Sequence, residues 1–194
     1  MEESGRRAAT LVRPLVPLLA GAAFGGLVAL LADRAPWVEA MANSFLPYVA
    51  IPLACGLLLP RRPARWLAGA GVLGAGSSLA AVGAFYGGNA LVSPYALSTW
   101  GVYFWSGAAV VTGALLGAFA WSLQPYAIRR PRVWGAVCCL LLVAAQLVVV
   151  VGPSRYSRAD LAGLLLVVVL CCALDLWALR QGSGLLVRAT DERA

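Results

Sequence analysis

Short clusters of arginine alternate with long apolar runs throughout this chain, and that alternation constrains its fold more than any other feature. The runs lie at roughly 14–33, 43–59, 66–86, 100–123, 133–152 and 159–180. Each approaches or exceeds the roughly 20 residues that an α-helix needs to cross a hydrocarbon core of about 30 Å. Threaded as six spans, the chain puts Arg6, Arg7, Arg13, Arg61, Arg62, Arg65, Arg129, Arg130, Arg132, Arg180, Arg188 and Arg193 on one side, and only Arg34, Arg155 and Arg158 on the other. Arginine collects on the cytoplasmic side of membrane proteins, so this split predicts cytoplasmic N- and C-termini. One span more or fewer would scramble it. The expected fold is therefore all-α, a polytopic transmembrane bundle of six helices in the cell (plasma) membrane. Residues 1–13 form a cytoplasmic N-terminal segment, 14–180 the six-helix domain, and 181–194 a short, mobile cytoplasmic tail.

Composition agrees with lipid as the solvent. Hydrophobic residues make up 61% of the 194 and charged residues 12%, against roughly 45–50% and about 25% in soluble domains. Mean hydropathy is +0.83. The first apolar run is longer than a signal-peptide core, and no small-x-small cleavage site follows near Leu30–Arg34, so it reads as a retained span. The second run, broken by Pro47 and Pro52, reads as a kinked helix whose freed backbone groups neighbours must satisfy.

The chain has no His, and all 15 of its basic residues are Arg. That removes Ser-His and Cys-His couples, His-ligated haem and His-ligated zinc. It also removes Schiff-base chemistry on Lys. No catalytic constellation is left, so an enzyme is not expected, nor a metal or cofactor. The net charge of +7 sits in short loops between spans, which makes it topological and leaves nucleic acid without a claim.

Small residues recur every four positions in three runs: Gly21, Gly25 and Ala29; a dense set from Gly69 to Gly83; and Ala109, Gly113 and Gly117. Such stripes let helix backbones approach closely in lipid, so the first, third and fourth helices are expected to pack together. Polar residues at membrane depth are Gln146, expected to bond to a neighbouring helix, and Asp175. The latter is expected about 7–8 Å inside the cytoplasmic end, paired with a snorkelling Arg; the alternative is a proton or cation site.

Five cysteines (Cys55, Cys138, Cys139, Cys171 and Cys172) form no C-x-x-C motif. If the last hairpin turns near Arg155, Cys138 comes level with Cys172 and Cys139 with Cys171. Thiolates in lipid would bury uncompensated charge, so compact packing is expected of them.

The richest chemistry falls on the outer side. One loop, Ala35–Tyr48, carries Glu39 and Asn43. Another, Phe85–Trp105, carries Tyr86, Asn89, Tyr95, Trp100, Tyr103 and Trp105 without any charge. Gly87-Gly88 and Ser93-Pro94 would supply turns or a hinge. The aromatics suit an interfacial belt; they equally suit a ligand pocket with aromatic walls and few polar groups.

NSFLPY (Asn43–Tyr48), the Gly-rich third run ending in FYGG (Phe85–Gly88), and YFWSGAAVVTGALLG (Tyr103–Gly117) resemble an uncharacterised family of six-helix actinobacterial membrane proteins. That resemblance covers about residues 15–150 and implies the fold without an activity. In architecture the chain is also similar to the substrate-binding subunits of energy-coupling-factor transporters. There a small-residue stripe on the first helix, typically Ala-x-x-x-Ala, docks onto a coupling subunit; Gly21, Gly25 and Ala29 stand here instead. The expectation is a small-molecule binding or transport component with an outward-facing aromatic-polar site. The alternative is a non-catalytic accessory or scaffold subunit. Partners are then the bilayer, with either membrane partner subunits or further copies of the chain.

Overall fold

The computed structural model describes residues 15–31, 44, 46–59, 66–92, 98–150 and 158–191, without the side chains at 92, 141–143, 145–150, 158–160 and 184–191. Among these residues the protein is all-helical, with six helices. They are α1 (Leu15–Leu31), α2 (Leu46–Leu58), α3 (Trp66–Val92), α4 (Thr99–Arg129), α5 (Pro131–Val150) and α6 (Arg158–Asp191). Stretches of α3, α4 and α6 (Trp66–Leu91, Thr99–Arg129 and Leu161–Ser183) are long and apolar enough to cross a membrane.

Glycine brings the helices together. A Cβ on Gly74 or Gly117 of α3 and α4 would collide with the backbone of Gly113 or Ala70 on the facing helix, and one on Gly113 would come 2.6 Å from Ser78 Oγ. The two helices are therefore antiparallel, with backbone lying on backbone. On the other face of α3, Gly21 abuts the Ser77 carbonyl, Gly25 that of Ala81, and Gly88 touches Ala29. That order makes α1 parallel to α3. The expected packing of the first, third and fourth helices is thus present, and α2 joins it through Gly56 against Gly117.

Direction alternates along the chain. Cys139 and Cys172 bring their Sγ atoms to 3.4 Å, and Gly135 lies against Leu176, so α5 and α6 are antiparallel. This register is one residue off the expected pairing, since Cys139 meets Cys172 where Cys171 was expected. All five cysteines are free, and no group of three or more Cys, Asp or Glu among the described residues is arranged to hold a metal.

α2 is the buried strut. Of Leu46–Leu59, only Tyr48 and Val49 are even partly exposed. It is about 20 Å long at 1.5 Å per residue, so it ends inside protein and its last carbonyls need partners. Gln124 of α4 supplies them, its Nε2 donating to Leu57 O at 3.0 Å and to Leu59 O at 2.8 Å. Pro47 stands in the first turn, where no backbone donor is lost. Pro52 lies inside the helix, where it withholds a hydrogen bond from the Tyr48 carbonyl.

Three expectations need correction. Gly87-Gly88 is helical, because a glycine at 88 is what lets α1 close on α3 at Ala29. The stretch read as one loop, Phe85–Trp105, is accordingly helix at both ends. α4 starts at Thr99 behind an N-cap, with Ser98 Oγ accepting from Gly101 N at 3.2 Å. Finally, α6 runs on to Asp191 where a mobile tail was expected. Gly182 is buried there against Leu57 O and Ile128, anchoring the continuation.

Two pairs of substitutions test this packing, read by thermal denaturation in mild detergent. Gly74→Ala should destabilise by about 1–3 kcal/mol, as overpacking does. Gly76→Ala, where a Cβ meets nothing within 4 Å, should stabilise by up to about 1 kcal/mol through helix propensity. Gln124→Leu should cost about 1–3 kcal/mol by leaving two buried carbonyls bare. Gln124→Glu, which can donate at most one hydrogen bond and only when protonated, should restore it at most in part.

Candidate functional site

The glycine contact has a consequence farther along the same helices. The register that sets Ser78 against Gly113 continues to Val82 opposite Ala109 and Tyr86 opposite Trp105. Side chains grow bulky there, so backbones can no longer touch. A cavity of about 380 Å³ opens at this level, within the usual range of ligand sites.

Three helices wall it. α2 contributes Tyr48 and Val49, with Ser44 just before the helix. Ser44 is fully buried, and its Oγ accepts from Leu46 N at 3.3 Å. α3 contributes Val82, Phe85 and Tyr86; the two rings are packed edge-to-face with centroids 5.2 Å apart. α4 lines the rest, from Trp105 to Leu116, about 16 Å along its axis.

Among the described residues the wall is neutral, with no charged side chain lining the cavity. Thr112 is already engaged, its Oγ1 donating to Ala108 O at 2.7 Å. The tyrosines are the polar handles. Tyr48 and Tyr86 lie within electrostatic range of each other, and the Tyr86 hydroxyl reaches toward Gly101 in the first turn of α4. Leu115, at 66% exposure, stands at the rim and opens the cavity to the outer surface of the bundle.

Of the residues singled out from sequence, Tyr86 and Trp105 line this cavity. Asn89 is half-buried one turn beyond Tyr86 and does not line it. Trp100 and Tyr103 point outward, 71% and 75% exposed, with Trp100 stacked on Phe104 at 4.9 Å. Glu39, Asn43 and Tyr95 lie outside the described residues. Sequence reading missed Tyr48, Val82 and Phe85, which fall inside apolar runs. The register that aligns α3 with α4 was the signal that could have found them.

Gly21, Gly25, Gly113 and Gly117 are buried inside the chain's own helix contacts, whereas Ala109, also buried, lines the cavity. Gln146 lies on α5, its side chain outside the described set. Asp175 is 1% exposed, and neither carboxylate oxygen has a hydrogen-bond partner among the described residues. The expected Arg partner is absent there because Arg132 and Arg180 face outward. The apolar stretch of α6 runs to Ser183, eight residues beyond Asp175.

Compared with protein-family profiles, with curated proteins and with solved structures, the chain matches none. The cavity and the helix contacts are therefore what any functional reading has to rest on.

Because Trp100 and Tyr103 make few contacts, Trp100→Ala and Tyr103→Ala should each change unfolding stability by no more than about 0.5 kcal/mol. Phe85→Ala should cost more than either in the same denaturation series.

Proposed function

We propose that this chain is an integral membrane protein of the plasma membrane, a six-helix bundle with both termini cytoplasmic, that binds a small uncharged molecule in its outer half. It serves as a binding or transport component and performs no catalysis. The observation that carries this reading is the neutral cavity walled by Tyr48, Tyr86 and Trp105. Its lining is mostly apolar with a few oriented hydroxyls, the composition typical of small-molecule sites.

The arginine asymmetry supports the threading, and the alternating helix directions are what six successive crossings require. On that threading the cavity sits toward the outer leaflet, since Tyr86 and Trp105 flank the outer connection between α3 and α4. The motif resemblance to six-helix actinobacterial proteins belongs to the same reading. The accessory-subunit alternative drew on the Gly/Ala stripes as a docking face. Gly21, Gly25, Gly74, Gly113 and Gly117 are occupied by helices of the same chain, while Gly76 and Gly83 stay open, so a partner subunit would have to use that open side of α3 or other surfaces.

The test is ligand-dependent stabilisation of the purified protein. A panel of neutral small molecules, together with organic extracts of the native membrane, is screened by thermal unfolding. A true ligand at a hundred times its Kd should add about 2.7 kcal/mol. Ala109→Phe, which fills the cavity, should abolish the shift. An undiminished shift in that variant would place the ligand elsewhere, and no shift from any extract would sink the reading. Reporter fusions to the C-terminus check the topology separately.

A further inference from the structure

Among the described residues Ser78 Oγ, Gln124 Oε1 and Trp134 Nε1 are buried without a hydrogen-bond partner, as Asp175 is, but Asp175 is the one acidic or basic side chain in that position. Gln124 and Ser77 are equally deep, but Gln124 bonds to the end of α2, and Ser77 Oγ donates to Gly74 O at 2.8 Å. Asp175 has burial of the same order and neither oxygen partnered among the described residues. An isolated carboxylate in such surroundings carries a heavy desolvation cost, so it demands a compensating cation.

The neighbouring elements narrow which cation that is. α2, which packs against the buried face of α6, contains no charged residue; its titratable groups are Tyr48 and Cys55. α5 offers Cys138 within electrostatic range, with Cys139 beyond it, and its Arg132 faces outward. On α6 itself Cys171 and Cys172 are the neighbours, and Arg180 faces outward. α4 turns Gln124 toward the α2 carbonyls, and its one charged residue, Arg129, is exposed. Among the described residues Asp175 is thus set among thiols and hydrocarbon, with no charged side chain against it. A metal ion would need several ligands at once, and no group of three or more Cys, Asp or Glu among the described residues is arranged to supply them. A proton needs only the carboxylate.

We infer that Asp175, at the junction of α2, α5 and α6, is a proton-binding site that takes up and releases one proton. The site is separate from the cavity, but the two share a wall. One side of α2 presents Tyr48 and Val49 to the cavity, and α2 also packs against α6, where Pro52 leaves its hydrogen-bond ladder weakened. An element placed in this way can report the protonation of one site to the other. The proton-binding role does not depend on the proposed ligand.

Dicyclohexylcarbodiimide, an apolar reagent that partitions into lipid, tests this on the full-length protein in proteoliposomes. The carboxyl proton passes to a carbodiimide nitrogen as the carboxylate oxygen bonds to the central carbon. The resulting O-acylisourea rearranges to a stable N-acylurea with no atom lost. Peptide mapping by mass spectrometry should find the adduct on Asp175, forming more slowly as the buffer is made alkaline. Asp175→Asn should lose the adduct and Asp175→Glu should recover it. If Asp175→Asn fails to fold, the mapped position and its pH dependence in the unsubstituted protein still decide. An unmodified Asp175 at every pH would show a carboxylate held by a partner cation, and an adduct rate independent of pH would show a proton that never leaves. Either result overturns the inference.

Discussion

Close contact between helix backbones, made at glycine, is the constraint on which the rest of this structure depends. In lipid, burying a leucine against another helix gains little over burying it among acyl chains, so association relies on close packing. α3 meets that requirement on two faces at once. Gly74 and Ser78 receive Gly113 and Gly117 of α4, while Ser77 and Ala81 receive Gly21 and Gly25 of α1. These contacts set the register of three helices. That register in turn brings Val82 against Ala109 and Tyr86 against Trp105, where large side chains hold the same helices apart. The cavity is the counterpart of the glycine contact: tight at one level, open at the next.

α2 plays a different part. It is short, contains two prolines and is almost wholly buried, so neither water nor lipid can satisfy its final carbonyls. Gln124 does so from α4, and one of its two acceptors, the Leu57 carbonyl, is also where Gly182 seats α6 against the same end. This strut joins the glycine-packed half of the bundle (α1, α3 and α4) to the leucine- and valine-rich half (α5 and α6). It is also the element common to the cavity and to the buried carboxylate. A change of shape in α2 would be felt at both.

Much of the helical order was legible along the chain, because it depends on local properties. Apolar runs of sufficient length give helices, and small residues at four-residue spacing mark the faces that approach. The misreadings share a cause. Gly87-Gly88 looks like a turn by the conventions of water-soluble chains, yet Gly88 is helical and admits Ala29. Gln124 stands just before Pro125 and Tyr126, close to where a helix of ordinary length would end. Its role appears only when α4 continues to Arg129. The pairing of Cys139 with Cys172 differs by one residue from the expected one, since a turn's centre cannot be read to that precision from charge and hydropathy.

The sequence by itself determined that this chain is helical, where most of its helices run, and which faces carry glycine, since each of these follows from residues within a few turns of one another. Only the tertiary structure decided that Tyr48, Tyr86 and Trp105 share one cavity, that Trp100 and Tyr103 lie outside it, and that Asp175 has no basic neighbour among the described residues. Those facts depend on the register between helices far apart in the chain. Register is set by which backbones can touch, a property of pairs of surfaces that no single segment carries.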